Sequence, residues 1–444
     1  MTTRVESPAA SVVEIAERAR QAALQLAAVP GDLRRDALAA AAALLRERAA
    51  EILAANQKDC AAAALLVEQG QMPAAMYKRL QISPAGIDEM AAHVCGVAAL
   101  PEPLGRELAV TALDDDLILR KVSCPLGVVA VIFESRPEVI PQLAALALRS
   151  GNALLLKGGT EAEHTNTVLA AIWRDALRRR PAIPPDAINL LHTREDIRQL
   201  LTLDHLVDLI VPRGSQAFVR YIAEHSRIPV LGHGEGICHV YVDRAADLKK
   251  AVAVAFDSKV QYPAVCNAAE TLLVHQEIAP SFLPELLSQF QAAGVEVRGC
   301  SQTRAFAGAF PVTPAAEADW GTEYSDLIIS IKVVASLEEA IRHVNQWGSR
   351  HTESIVTEDP QAAADFMERV DAAGVFHNAS TRFADGFRYG LGAEIGISTS
   401  KLHARGPVGL EGLTTYKYKL AGNGHTVASY VNGERTFKHK QLKS

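Results

Sequence analysis

Cys266 lies in KVQYPAVCNAAETLLVH, where Pro263 breaks the chain between a helical run and the apolar run 271–275. A thiol in such a connection can reach solvent, as a nucleophile must, although most free cysteines are small buried apolar residues. Amides around Cys266 and Asn267 would stabilise an oxyanion if the fold aimed them at one point, which spacing alone does not decide. Lys157-Gly158-Gly159-Thr160 closes another apolar run. A lysine with exposed amides suits a nucleotide ribose or phosphate, and a solvated turn would have the same composition. Gly232, Gly234 and Gly236 lack the G-x-G-x-x-G spacing, so they read as a turn or as a close approach of two backbones, with a site role left open. Asp114, Asp115 and Asp116, between the apolar runs 108–113 and 117–122, read as solvated carboxylates of a hairpin turn.

These residues need a scaffold, and the chain shows two kinds of pattern. From residue 11 to about 100, Val12, Ile15, Ala19, Ala22 and Leu26 recur at three- to four-residue steps and alanine dominates the rest of the stretch, so it reads as helices. From Gly127 onward, the short apolar runs GVVAVIF, NALLLK, AINLLH, LVDLIV and CHVYVD alternate with helical stretches such as 161–180. Runs of that length between helices are strands buried on both faces, hence a parallel sheet in an α/β domain. Such sheets bind ligands beyond the carboxyl ends of their strands, which directs attention to 134–137, 157–160 and 212–215. A second α/β region comes next, with helices near 246–258, 280–292, 337–347 and 360–373 and strands near 271–275, 327–334 and 374–377. The tail from Thr415 alternates again, as a strand pairing with the early hairpin or with another subunit would.

At 444 residues, with 49% hydrophobic and 22% charged, the chain is long enough for two or three domains around large cores. A net charge of −6, with Lys and Arg scattered, leaves no basic stripe for nucleic acid, so small molecules are the expected partners. The start MTTRVESPAA has no apolar run of signal length, and no stretch of about 18 apolar residues occurs, so a cytoplasmic protein without a membrane partner is expected. The six cysteines include no C-x-x-C, and both H-E-x-x-H and G-x-x-x-x-G-K-[ST] are missing. No metal and no P-loop nucleotide site are therefore expected, and most cysteines read as reduced and buried.

Taken in order, PLGVVAVIFESRPEV, SGNALLLKGG, LIVPRGS, the glycine cluster, the Cys266 loop and GTEYSDL resemble the aldehyde dehydrogenase superfamily across nearly the whole chain. Within it, ESRP, PAVCNAAETLLVH and the closing GPVGLEGLTTYKYKL are similar to the family of γ-glutamyl phosphate reductases. The resemblance implies an α/β fold with a parallel-sheet cofactor domain, an α/β catalytic domain and a small oligomerisation arm. It implies that Cys266 attacks the acyl carbon of L-glutamyl 5-phosphate and expels phosphate, and that NADPH reduces the resulting thioester to L-glutamate 5-semialdehyde in L-proline biosynthesis. Run in reverse, the same chemistry is a glutamate-5-semialdehyde dehydrogenase using NADP. Lys157 would then hold the adenosine ribose, Gly214 and Ser215 would open the helix beside the pyrophosphate, and Glu323 would hold the nicotinamide ribose.

Departures from the superfamily pattern sharpen the expectation. Thr160 stands where NAD-preferring members often carry a glutamate, which removes a charge that would repel a 2′-phosphate, and Arg213 is a candidate partner for that phosphate. Leu231 replaces the glutamate base that hydrolyses the thioester in oxidising members, with Glu235 close by in sequence. A reductase whose acyl acceptor in reverse is phosphate needs no such base. Ser135 or Arg136 replaces the oxyanion-hole asparagine, and an arginine there suits a carboxylate or an acyl phosphate. Asn378, Ser380, Thr381 and Arg382 fall at the superfamily's substrate mouth. The expected division is 1–107 with 127–243 for cofactor, 244–378 for catalysis, and 108–126 with 379–444 for the arm and tail. Such an arm leaves strand edges that a homo-oligomer would cover, and a separate glutamate kinase would supply the acyl phosphate. The rival readings are a hydrolysing NAD-dependent dehydrogenase, a non-catalytic binding protein, and a cysteine hydrolase with His275 as base.

Overall fold

The computed structural model describes residues 10–232 and 234–443; residues 1–9, with which the expected cofactor domain begins, lie outside the described residues. Five helices open the chain: Val12–Leu26, Gly31–Glu47, Ala49–Glu68, Ala74–Leu80 and Pro84–Ala99. The first shows how local sequence sets them. Ser11 Oγ accepts from the Glu14 N–H while the Glu14 carboxylate accepts from the Ser11 N–H, a reciprocal cap worth about 1 kcal/mol. Its stripe Val12, Ala16, Ala19 and Ala23 packs into a core shared with the first parallel sheet.

Strands β1 (Glu107–Asp114) and β2 (Leu117–Pro125) form the expected antiparallel hairpin. Next come β3 (Val128–Phe133), β4 (Ala153–Lys157), β5 (Ile188–Leu190) and β6 (Leu209–Arg213), a parallel sheet in the order β5-β4-β3-β6. Every residue of β3 and β4 is buried, as strands covered on both faces require. Ile132 lies beside Lys157 and Phe133 beside Arg213, so the adjacent strands β4, β3 and β6 end nearly level.

The second sheet has seven parallel strands: β7 (Cys238–Val242), β8 (Ala269–His275), β9 (Glu296–Gly299), β10 (Val312–Pro314), β11 (Ile328–Val334), β12 (Thr352–Val356) and β13 (Gly374–His377). Their order is β10-β9-β11-β8-β7-β12-β13. The run CHVYVD, read with the first sheet, is β7 and belongs here, because an apolar run announces a buried strand but not its neighbours. Alternation then divides the core in two. Val240, Val242, Leu272 and Val274 pack with Phe282 and Phe290, whereas Tyr241, Leu273 and Ile355 pack with Ile341 and Phe366.

A two-residue ladder, β14 (Ile397–Ser398) with β15 (Gly406–Pro407), precedes the tail strands β16 (Thr414–Ala421) and β17 (Lys440–Lys443). β16 pairs with β2 and β17 with β1, turning the early hairpin into a four-stranded antiparallel sheet. Asp114 corrects the reading of its turn as solvated. It is 8% exposed and accepts from Asp115 N–H and Tyr430 O–H, with Arg435 and Lys438 beside it, so it fastens the tail to the hairpin. Those partners return more than 300 residues later, which no local reading of the turn could supply.

Two compact units result. The first runs to Leu231 and takes in Leu391–Gly396 and the tail from Val408; the second is Gly232–Gly390 with Ile397–Pro407. No helix among the described residues is long and apolar enough to cross a membrane. All six cysteines are free, but only Cys238 is buried and Cys95 is exposed, so the expectation of mostly buried thiols does not hold.

Candidate active site

The first unit gathers its candidates at one edge, because β3, β4 and β6 are neighbours that end together. Lys157 is the last residue of β4, 4% exposed, with its Nζ donating to the Gly158 carbonyl at 2.5 Å. Thr160, itself exposed, opens the turn Thr160–Ala162 just beyond. Arg213 ends β6, and Ser215 caps the helix Gln216–His225, its Oγ accepting from Phe218 N–H at 3.4 Å. The first-turn amides of that helix, with the positive end of its dipole, form the type of terminus that binds pyrophosphate. Gly214 leaves room there for the Glu134 carboxylate and the Phe218 ring, which stand 2.8 Å and 3.0 Å from where a Cβ would be.

Beyond β3, Ser135 adopts a left-handed backbone, φ +44°, and both its N–H and its Oγ donate to Glu161 Oε1 at 2.7 Å. Its polar groups are thereby committed to holding a loop, while Arg136 beside it is half-buried. The same contact bears on cofactor choice. Thr160 removes one charge, but the Glu161 carboxylate stands at this end of the sheet, one residue beyond the position where NAD-preferring members carry theirs.

In the second unit, Cys266 is half-buried in the connection between the helix Leu248–Val260 and β8. Three contacts fix this connection. At Gly236 a Cβ would lie 2.2 Å from the Cys266 carbonyl oxygen and 2.4 Å from its Cα, so only glycine lets the two backbones meet. Cys238 Sγ donates to the Cys266 carbonyl at 3.3 Å, and Asn267 Nδ2 donates to the Ala384 carbonyl at 2.7 Å. Asn267 Oδ1 is buried with no hydrogen-bond partner among the described residues. Burial, with the Glu353 carboxylate nearby, pushes the Cys238 thiol well above its ordinary range, which makes it a packing residue beside Cys266.

A buried ion pair underlies the loop. Lys259 Nζ and Glu270 Oε2 are 2.6 Å apart with neither side chain exposed. Burial raises Glu270 to about 7 and lowers Lys259, each shift offset in part by the other partner. Glu270 Oε1 also accepts from Ser325 N–H at 3.3 Å, so the segment carrying Glu323 is tied to the strand that comes after Cys266. Asn378 has φ +52° and spends its amide on Thr357, accepting from Thr357 N–H and donating to its carbonyl, both at 3.0 Å. It holds the end of β12 in place. His275 closes β8 and accepts from Glu277 N–H, about 20 Å of strand away from the Cys266 end, too far to serve that thiol as a base.

The aldehyde dehydrogenase family model matches residues 2–305. The chain belongs to that family. Among curated relatives, the γ-glutamyl phosphate reductase of Cyanothece sp. (strain PCC 7425) is 55% identical over 433 residues, 97% of this chain and 98% of the relative. That of Pelotomaculum thermopropionicum is 52% identical over 429 residues, 97% of each chain. The crystal structure of the Thermotoga maritima γ-glutamyl phosphate reductase superposes with a TM-score of 0.90 at 40% identity, covering 94% of this chain and 100% of that one. Within the aldehyde dehydrogenase family the chain thus groups with the γ-glutamyl phosphate reductases, and it is an oxidoreductase of the aldehyde dehydrogenase type.

For a member of this family, Leu231 matters by what it lacks. It is 4% exposed, its N–H donates to the Ile210 carbonyl, and it offers no carboxylate to activate water. Sequence reasoning passed over Cys238, Lys259, Glu270 and Glu161. Glu270, a charged residue within the apolar run ETLLVH, was the one visible signal, since a lone carboxylate there demands a buried partner.

Proposed function

We propose that this chain uses NADPH to reduce L-glutamyl 5-phosphate to L-glutamate 5-semialdehyde and phosphate, through a thioester on Cys266, in L-proline biosynthesis. The observation that carries the reading is the half-buried Cys266 in a connection immobilised by Gly236, Cys238 and Asn267. A fixed thiolate needs little reorganisation to attack an acyl carbon. The C–S bond forms as the C–O bond to phosphate breaks, and its electron pair leaves on the phosphate oxygen. When bound, the nicotinamide cofactor supplies the hydride that reduces the thioester. Collapse of the thiohemiacetal on Cys266 returns the thiolate and releases the aldehyde.

The cofactor reading fits the level strand ends and the helix capped by Ser215. Lys157, Gly214, Ser215 and Glu323 are the residues proposed to hold it, with Thr160 and Arg213 for the 2′-phosphate. Glu161 weighs against a strict preference for NADP, so the ratio of kcat/KM for the two cofactors is the measure of that element of the proposal. Ser135, Arg136, Asn267 and Asn378 are proposed around the substrate, the first and last by shaping loops. Homo-oligomerisation through the four-stranded sheet is also proposed. Its outer strand β16 leaves Tyr416, Tyr418 and Leu420 48%, 60% and 57% exposed. A cytoplasmic location and an acyl phosphate delivered by a separate kinase complete the reading.

The test is reduction of NADP by glutamate 5-semialdehyde, with and without inorganic phosphate. Phosphate-dependent turnover that falls by about 10⁴-fold or more in Cys266→Ala is expected. Turnover without phosphate would replace the reading with a hydrolysing dehydrogenase.

A further inference from the structure

Arg382 is a buried cation with no close carboxylate partner among the described residues. It is 7% exposed, and the carboxylates that act on it, Asp385 and Asp257, do so from beyond ion-pair distance. Leaving a guanidinium in that condition is costly unless something anionic completes it. Its position is fixed from several sides. The Nε donates to Gln261 Oε1 at 2.9 Å, at the start of the connection that carries Cys266. The Arg382 N–H donates to Ser380 Oγ, which in turn meets Ser258 Oγ at 3.2 Å on the preceding helix. Two residues beyond, the Ala384 carbonyl receives the Asn267 amide, so the Arg382 segment is stitched to the Cys266 connection on both sides of the thiol. Burial lowers the Arg382 pKa and Arg388 lowers it further, while Asp385, Cys266 and Asp257 act within electrostatic reach in the opposite direction. Arg388 Nη1 donates to the Arg382 carbonyl and pairs with Asp385 at 3.7 Å, which orders the same segment.

We propose that Arg382 is the phosphate-binding residue of the Cys266 site, receiving the phosphate that Cys266 displaces and presenting inorganic phosphate for the reverse reaction. This rests on the acyl-phosphate reading above. As the C–O bond breaks, charge accumulates on the departing phosphate oxygen, and a guanidinium oriented by Gln261 through Nε has the planar fork that a phosphate can engage through the terminal nitrogens. Arg136, considered for this role from sequence, belongs to the other unit and is not required by it.

The experiment monitors alkylation of Cys266 by iodoacetamide in the full-length protein without cofactor, against rising inorganic phosphate, with chloride at matched ionic strength as control. Phosphate slows alkylation of the native protein several-fold and chloride does not. Arg382→Gln loses the protection and Arg382→Lys keeps part of it, both with native melting temperature. In turnover, Arg382→Gln raises the KM for phosphate by about 10- to 100-fold, the range for a lost charged hydrogen bond, with the KM for semialdehyde changed by less than about 3-fold. An unprotected native protein overturns the proposal without needing any variant to fold, as does a Gln variant protected as well as the native one. A rise confined to the semialdehyde KM also overturns it, by assigning Arg382 to the substrate carboxylate. If phosphate protects through Arg382 but glutamate 5-semialdehyde is not turned over, the substrate reading has failed and the phosphate site stands.

Discussion

In the first unit the candidate residues are carried by main chain: three parallel strands end level, and a helix begins beside them. In the second unit the candidates depend on side chains locked against one another, with a buried ion pair, a glycine under Cys266 and a buried amide on Ala384. The difference teaches where each unit is fragile. A strand-end site survives most single substitutions because topology supplies it, whereas a loop held by buried polar contacts fails when one contact is removed.

The sharpest test of that contrast is Glu270→Gln. It strands the Lys259 ammonium at zero exposure and should destabilise the protein by about 3–5 kcal/mol at neutral pH, read as a lowered denaturation midpoint of the second unit. Replacing both partners, Lys259→Met with Glu270→Leu, should bring stability back close to native. The pH dependence has a defined sign. With the folded Glu270 pKa raised from 4.5 to about 7, the folded state holds a proton that the unfolded state has released across that window, so this group's contribution falls as pH rises through it. Lys259 is lowered from 10.5, so in Glu270→Gln the stability should recover as pH rises toward that value and the lysine sheds its proton. A flat profile in the variant would mean that the pair is not the buried ionic contact described.

Next in size comes a matched pair of glycines. Gly236→Ala forces a methyl group to within 2.2 Å of the Cys266 main chain, and backbone cannot move aside cheaply. A cost of about 1–3 kcal/mol is expected, and a displacement of Cys266 near 1 Å should lower turnover by about 100-fold. Gly234→Ala, with nothing within 4 Å of the added carbon, should leave both turnover and melting temperature near native. Equal effects at the two positions would remove the close-approach explanation.

These residues also mark how far the chain is legible from sequence alone. The helical character of 11 to about 100 (though not its division into five helices), β3 to β6 and the Cys266 connection were legible because apolar periodicity and proline or glycine breaks are local signals. The strand-end position of Lys157, Arg213 and Ser215 came from the same signals, since a parallel sheet has only one edge for a ligand. The strands β9, β10 and β12 and the placement of β7 were not read, and pairing order in particular is a long-range property. Gly236 was read as either a turn or a close approach, and only the second unit's packing decided between them. The Lys259–Glu270 and Arg382–Gln261 contacts join residues on different elements, and no spacing in the sequence announces which charges will be buried together.

The smallest expected effect probes the first unit. Ser215 caps its helix through a long 3.4 Å contact on an exposed side chain, so Ser215→Ala should cost about 1 kcal/mol or less. If main-chain amides hold the cofactor's pyrophosphate, the KM for cofactor should rise only a few-fold, and the rate of Cys266 alkylation should not change. Ser215→Asp is the informative partner, since aspartate caps as well as serine but adds a negative charge where a pyrophosphate is proposed to sit. Its cofactor KM should rise well beyond that of the alanine variant despite equal or better helix stability. If instead the two substitutions behave alike, the helix terminus is not an anion site. If Ser215→Ala proves as damaging as Glu270→Gln, the first unit leans on side chains as heavily as the second, and the contrast between them fails.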